Sequence, residues 1–426
     1  MLLNILEITI FLEGLVSLIS IISYKGFLLV HVFLIVNLTL SLIYIFVANK
    51  IFVLNNKWLK MVLLAFVFYF ATLIGATNSN DFQGGLIASQ LFLLTFSSII
   101  LYYIIDNDNL KFILIFVKGF IYSAVITSLY TIIDTLHFYL GHNHKSLNVI
   151  IFPKYLMLKA NGHYLSNFQH IDIIGHHLLL YRSSGFSWDP GVTFPAVVIA
   201  LILLNENIII IKYKLLLLLI IFIALIVSIS KVSLVALLIY FLIRIFKNKN
   251  VKLTKTIKIK ALNFLPFLSF IFLFFIGFFI PYLTYTDANF LTQGNERHLK
   301  YFSSVIDYYK ANISQILFGF GYRGVGEFFN KYVVWRTSTG FRYLVGYGPP
   351  SALTDLFLWG GLVGIIFWFY SYYVTFINGS NGIKLIMIII IFLMFGGTIN
   401  SVWFNSIYIS IFIMSYSKKL NKTATI

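Results

Sequence analysis

Five arginines stand in the polar stretches of an otherwise apolar chain. Arg182 opens "RSSGFSWDP" (182–190), and Arg297, Arg323, Arg336 and Arg342 lie between 284 and 350. A guanidinium is always charged and binds phosphate oxygens in a two-pronged fork. Such a set could form a pyrophosphate-binding rim at a membrane surface. The competing use is loop solvation, with ion pairs to Asp287, Glu296 and Glu327. Lys231, in "SISKVS" (228–233), sits between two short apolar runs. A lysine inside hydrocarbon costs roughly 2.5–3.5 kcal/mol on insertion scales, so it must snorkel, pair or bind an anion.

Proton transfer needs a base. Asp189 precedes Pro190 at the mouth of an apolar run, and Asp-Pro there is a helix-start signal with aspartate as N-cap and proline at the first position. Capping alone explains the pair, although a carboxylate beside Arg182 could also serve chemistry. His176, His177 and His298 are further candidates for deprotonating a sugar hydroxyl. The histidines of 142–177 lack a convincing metal-ligand spacing, so no metal site is assigned. "GFGYRG" (319–324) matches G-x-G-x-x-G, but no βαβ pattern surrounds it. It reads as a turn whose glycines let Arg323 approach a ligand.

The elements that must position these residues follow from composition. Of 426 residues, 60% are hydrophobic and only 11% charged, which marks an integral membrane protein rather than a soluble one. The chain has no cysteine, which excludes disulfides and thiolate chemistry. A span needs roughly 20 apolar residues. Apolar runs near 3–23, 27–48, 58–76, 85–105, 110–139, 189–206, 214–230, 232–246, 261–283, 351–376, 384–400 and 402–416 predict about twelve. The chain reads as one polytopic membrane domain (1–426). The first run holds Glu7 and Glu13 and lacks a basic leader or an A-x-A exit, so it reads as an uncleaved anchor. Pro195, inside the 189–206 run, removes a backbone hydrogen bond and predicts a kink.

The net charge of +17 first reports topology. With the N-terminus inside, Lys50, Lys57, Lys60, Lys111, Lys212, Lys214, the run 244–260, Lys384 and the tail 417–422 all fall on the cytoplasmic side, as does the C-terminus. The basic run is therefore read as a topology anchor, and no nucleic-acid partner is expected. Two long segments, 141–188 and 284–350, fall outside. The second contains Leu299, Phe302, Ile306, Tyr309, Ile313 and Ile316 at steps of three or four, which predicts an amphipathic helix over 295–319 lying along the membrane.

Four patches in this order resemble the bacterial O-antigen polymerase and ligase superfamily. They are "RSSGFSWDP" (182–190), "SISKVSLVALLIY" (228–240), "NERHLKYFSSVIDYYKANISQILFGFGYRGVG" (295–326) and "PPSALTDLFLWGGLVGIIFWF" (349–369). Together they cover about a fifth of the chain. Lys231 stands where the family pattern has arginine. The ligase-type histidine falls on Pro350, which favours a polymerase over a ligase. The resemblance implies an all-α, GT-C-type membrane fold and an inverting, metal-independent glycosyltransferase without cofactor, in the bacterial inner membrane. Its substrates would be oligosaccharides on undecaprenyl pyrophosphate in membrane lipid, with a chain-length regulator as a possible partner. Arg182, Lys231, Arg297 and Arg323 would stabilise the leaving pyrophosphate. Arg336 and Arg342 would grip phosphates, and Asp189 or a histidine would be the base. The alternatives are a ligase that moves finished glycan to lipid A core, and a polysaccharide flippase. Charges in outer loops rather than along interior spans favour an enzyme.

Overall fold

The computed structural model describes residues 2–19, 23–24, 27–48, 56–79, 82–106, 110–141, 147, 168–173, 176–181, 183–186, 190–248, 313–321, 352–394 and 402–415. Its helices are α1 (Leu2–Val16), α2 (Leu29–Val47), α3 (Asn56–Thr77), α4 (Phe82–Ile105), α5 (Lys111–Leu140) and α6 (Pro190–Asn205). They continue with α7 (Lys214–Val227), α8 (Lys231–Asn248), α9 (Ile313–Phe318), α10 (Ala352–Asn378), α11 (Asn381–Leu393) and α12 (Val402–Ser415). The apolar run at 261–283 lies outside the described residues, as does the predicted amphipathic helix except for α9 and its turn.

Among the described residues, four segments are long and apolar enough to cross a bilayer: Leu29–Val47, Phe82–Ile105, Lys111–Leu140 and Trp359–Asn378. Their neighbours share that surface chemistry. α2 exposes Val32, Ile35 and Phe46, α7 exposes Leu215, Leu216 and Leu219, and α8 exposes Val235 and Leu238. Broad apolar faces of this kind belong in hydrocarbon, where a helix satisfies its own backbone polar groups.

Two helices organise the bundle. α5 packs on α1, α4, α6 and α7. α6 is buried at every residue from Thr193 to Leu204, as expected for a helix apolar on all sides. It runs through Pro195 as one helix rather than breaking there. α1 crosses α5 at two glycines. A Cβ on Gly14 would stand 2.9 Å from Phe120 N and 3.1 Å from Gly119 Cα, so the two backbones touch. Small residues permit this approach in membrane bundles, where close packing drives association.

The described chain is mostly helical, as expected of an all-α fold, with two short strand pairs added. β1 (Ser23–Tyr24) pairs with β2 (Phe27–Leu28), and β3 (Phe168–Ile173) pairs with β4 (His176–Tyr181), both antiparallel. The β3–β4 hairpin lies in the first long polar segment, where backbone groups outside hydrocarbon can pair between strands. α1 also ends seven residues before the predicted limit of 23. There Ser17 Oγ donates to Gly14 O at 2.7 Å, and Ser17 N turns to the same carbonyl. α10 is the second departure. It covers the predicted run 351–376, but Gly361 within it takes φ 59° and ψ −151°, which breaks the helical path.

Candidate functional site

The segment before α6 is seated on the far end of α5. Tyr181, the last residue of β4, is buried and donates its hydroxyl to Asp134 Oδ2 at 2.6 Å. The other carboxylate oxygen, Oδ1, accepts Leu147 N at 2.7 Å. One buried side chain on α5 thus bonds two residues of the first long loop that are 34 positions apart, Leu147 and Tyr181. The Tyr181 ring stacks on Phe138 at 4.0 Å, and its backbone N–H donates to the Tyr139 hydroxyl at 3.1 Å. Nothing in the apolar run 110–139 singles out Asp134 except its charge. A carboxylate within a span was the available signal, because such groups are rarely placed there without a partner or a task.

The next residues continue the seat. Ser183, Ser184 and Gly185 are buried, and Phe186 stacks on Tyr130 at 4.2 Å. Gly185 is required twice over. Its φ is 63°, a left-handed conformation that suits glycine, and a Cβ there would stand 2.6 Å from Thr127 Cγ2. From the other side, Thr193 Oγ1 in the first turn of α6 donates to Ser184 O at 3.1 Å. Tyr181 and residues 183–186, which form a doorway into α6, therefore join the ends of α5 and α6. Arg182 and Asp189 themselves lie outside the described residues, but Tyr181 and Ser183, the chain neighbours of Arg182, are both buried here.

This seat yields a direct test. Tyr181→Phe keeps the stacking on Phe138 but leaves Asp134 Oδ2 without the tyrosine donor. A buried acceptor stripped of its donor costs about 1–3 kcal/mol. A lowered unfolding midpoint in detergent is expected, with a smaller effect from Tyr139→Phe, whose hydroxyl accepts only a backbone N–H. Equal midpoints for wild type and Tyr181→Phe would show that the bond contributes nothing.

His176 and His177 pair with Ile173 and Asp172 at the turn of the hairpin. Five strand steps separate His176 from Tyr181, about 16 Å along the strand at the usual rise. The backbone thus sets these histidines at the opposite end of the hairpin from the doorway, which weakens them as a base working beside Arg182.

The glycine turn has a packing task. Gly319 and Gly321 take φ 73° and 68°. A Cβ on Gly321 would stand 2.7 Å from Ala76 N, and one on Gly75 would stand 2.7 Å from Gly321 N. Gly361 completes the junction, since a Cβ there would lie 2.5 Å from Leu317 O. Asn78 Nδ2 fastens the turn by donating to Gly319 O at 2.8 Å. Glycines of the third and fourth sequence patches and the end of α3 thus meet backbone to backbone. Arg323 follows two residues later, outside the described residues.

Lys231 is the first residue of α8, after a sharp turn from α7. Ile229 there takes φ 51°, a costly conformation for a β-branched residue. The turn is knit by buried serines. Ser230 Oγ bonds Ser233 Oγ at 3.0 Å, and Ser228 Oγ donates to Leu225 O at 2.9 Å. Arg297, His298, Arg336 and Arg342 lie outside the described residues.

A second polar cluster closes the opposite end of α6. Glu206 Oε1 accepts from the Tyr240 hydroxyl at 2.9 Å and lies 4.0 Å from Arg244 Nε. Lys214 Nζ donates to Asn207 Oδ1 at 2.6 Å. The two ends of this buried helix are thus chemically distinct, with Lys214 and Arg244 gathered at one and the Tyr181–Asp134 seat at the other.

No protein-family model, curated protein or solved structure matches the chain. A functional reading rests on its own residues and on the resemblance of its four patches.

Proposed function

We propose that this chain polymerises lipid-linked oligosaccharides on the outer face of the bacterial inner membrane. It would do so as a membrane glycosyltransferase of about twelve spans with the GT-C type of fold. The observation that carries the reading is the doorway: Tyr181 and Ser184, on either side of the patch's first residues, are bonded to α5 and α6 at the end of α6 remote from Lys214 and Arg244. That polarity agrees with the positive-inside reading, which puts the lysines and Arg244 inside and the doorway outside.

The chemistry follows from the substrate class. An acceptor sugar hydroxyl attacks the anomeric carbon of the donor glycan. The bond from that carbon to the pyrophosphate oxygen breaks, and the leaving oxygen keeps the electron pair. The hydroxyl proton passes to a base, for which Asp189 and His298 are the candidates. Arg182, Lys231, Arg297 and Arg323 would face the charge that builds on pyrophosphate, and preplaced cations at developing charge are often the largest catalytic contribution. Arg336 and Arg342 would hold donor or acceptor phosphates.

A deletion strain tests the class. Loss of a polymerase leaves lipid A core capped by a single repeat on a glycan gel. Bare core with long glycan still on the carrier would instead indicate a ligase, and absence of any exported repeat a flippase. An unchanged ladder would refute the proposal.

A further inference from the structure

Away from the doorway, the bundle buries another carboxylate. Glu13 of α1 has no exposed surface. Its Oε2 accepts from Asn37 Nδ2 of α2 at 2.6 Å and from the Tyr102 hydroxyl of α4. Asn37 Nδ2 also donates to Thr9 O at 3.2 Å. Three helices therefore converge on one carboxylate oxygen. The other oxygen is bare: Glu13 Oε1 is buried without a hydrogen-bond partner among the described residues. Asn37 Oδ1 is buried and bare in the same way, and so is Ser41 Oγ one turn along α2.

No positive group among the described residues answers Glu13. Lys111 pairs with Glu7 instead, and Arg244 lies beside Glu206. On α2, His31 Nδ1 accepts from Leu28 N. On α5, Lys118 is exposed and Tyr122 packs edge-on against Phe11. On α4, Tyr102 already donates to the occupied oxygen. An unpaired charge inside a membrane bundle is costly, and each bare buried acceptor adds to that cost. The arrangement lacks one positive charge that can bond to oxygen.

We propose that Glu13 and Asn37 form an intramembrane site for one unit of positive charge, taken as a proton on Glu13 or as an alkali cation between their bare oxygens. Either occupant removes the net charge: a proton turns Glu13 Oε1 into a donor, and a cation takes the bare oxygens as ligands. The site is coupled to the rest of the bundle by position. Gly14, the next residue, lies against Gly119 of α5, the helix that carries the doorway carboxylate. This inference does not depend on the polymerase reading.

Infrared difference spectra of purified wild-type protein and Glu13→Gln in bilayers decide it. A carboxylic-acid carbonyl band present in wild type and missing in Glu13→Gln identifies the proton. A carboxylate band that shifts when sodium replaces choline, and only in wild type, identifies the cation. A Glu13 carboxylate that is ionised and unmoved by sodium overturns the proposal. Should Glu13→Gln fail to fold, the sodium-minus-choline and deuterium-exchange spectra of wild type with Glu13→Asp, whose carboxyl band moves, give the same decision.

Discussion

Replacing Arg182 with alanine is expected to abolish visible chain growth while the protein still inserts at wild-type level. The magnitude follows from what the side chain would do. A donor aimed at developing charge typically contributes about 10²–10³ in rate. Successive transfers build a polymer, so a loss of that size empties the upper rungs of a glycan ladder. Arg297→Ala is expected to match it. Asp189 provides the contrast. If it is only the N-cap of α6, Asp189→Ala costs about 1 kcal/mol of stability and leaves a ladder. If it is the base, its ladder is lost while the unfolding midpoint falls only by the cap term, and Asp189→Asn, which still caps, loses the ladder too. Arg182→Lys keeps a charge but not the bidentate fork, so it should retain a shorter ladder. Membrane-fraction blots show insertion and glycan gels show growth. Wild-type ladders from both Arg182→Ala and Arg297→Ala would end the phosphate-rim idea.

The split between structural and chemical roles in this stretch was legible only in part. Pro190 at the start of α6 follows from local chemistry, because Asp-Pro before an apolar run leaves few alternatives. α2, α4 and α5 end close to their apolar limits for the same reason: hydropathy over twenty residues is a strong local signal. Gly185 was not legible. Its requirement comes from Thr127, more than fifty residues earlier, and no local pattern encodes a contact across that separation. The kink at Gly361 was hidden likewise, since it exists to admit the backbone of α9. Glu13 lay between these cases. Its charge inside an apolar run was visible, but Asn37 and Tyr102 could be found only once α1, α2 and α4 were placed together. Sequence thus marks where a span carries an unusual residue, and tertiary packing decides which residues answer it.

The Gly14–Gly119 crossing leads to the largest expected structural effect. Gly119→Leu should destabilise the protein strongly, because its side chain would have to displace backbone rather than a flexible neighbour. A Cβ at this position already stands 3.1 Å from Leu15 N and 3.2 Å from Gly14 Cα. Overpacking a well-packed core usually costs about 1–3 kcal/mol, and a rigid backbone neighbour puts this case at the upper end. Ile126→Leu, on a 44% exposed position of the same helix, changes little and serves as the control. The pair also predicts a sign of coupling. Gly14→Leu and Gly119→Leu relieve the same clash by moving the same two helices apart. Once one is present the second should cost less, so the double variant is less destabilised than the sum of the singles. Additive losses in detergent unfolding would mean that the two glycines act at separate contacts. Moving α1 away from α5 also shifts Glu13 relative to Asn37 and Tyr102. Gly119→Leu should therefore disturb the Glu13 infrared band without touching any residue of that cluster. An unchanged band alongside a lowered midpoint would show that α1 moves together with α2 and α4, keeping the Glu13 site intact.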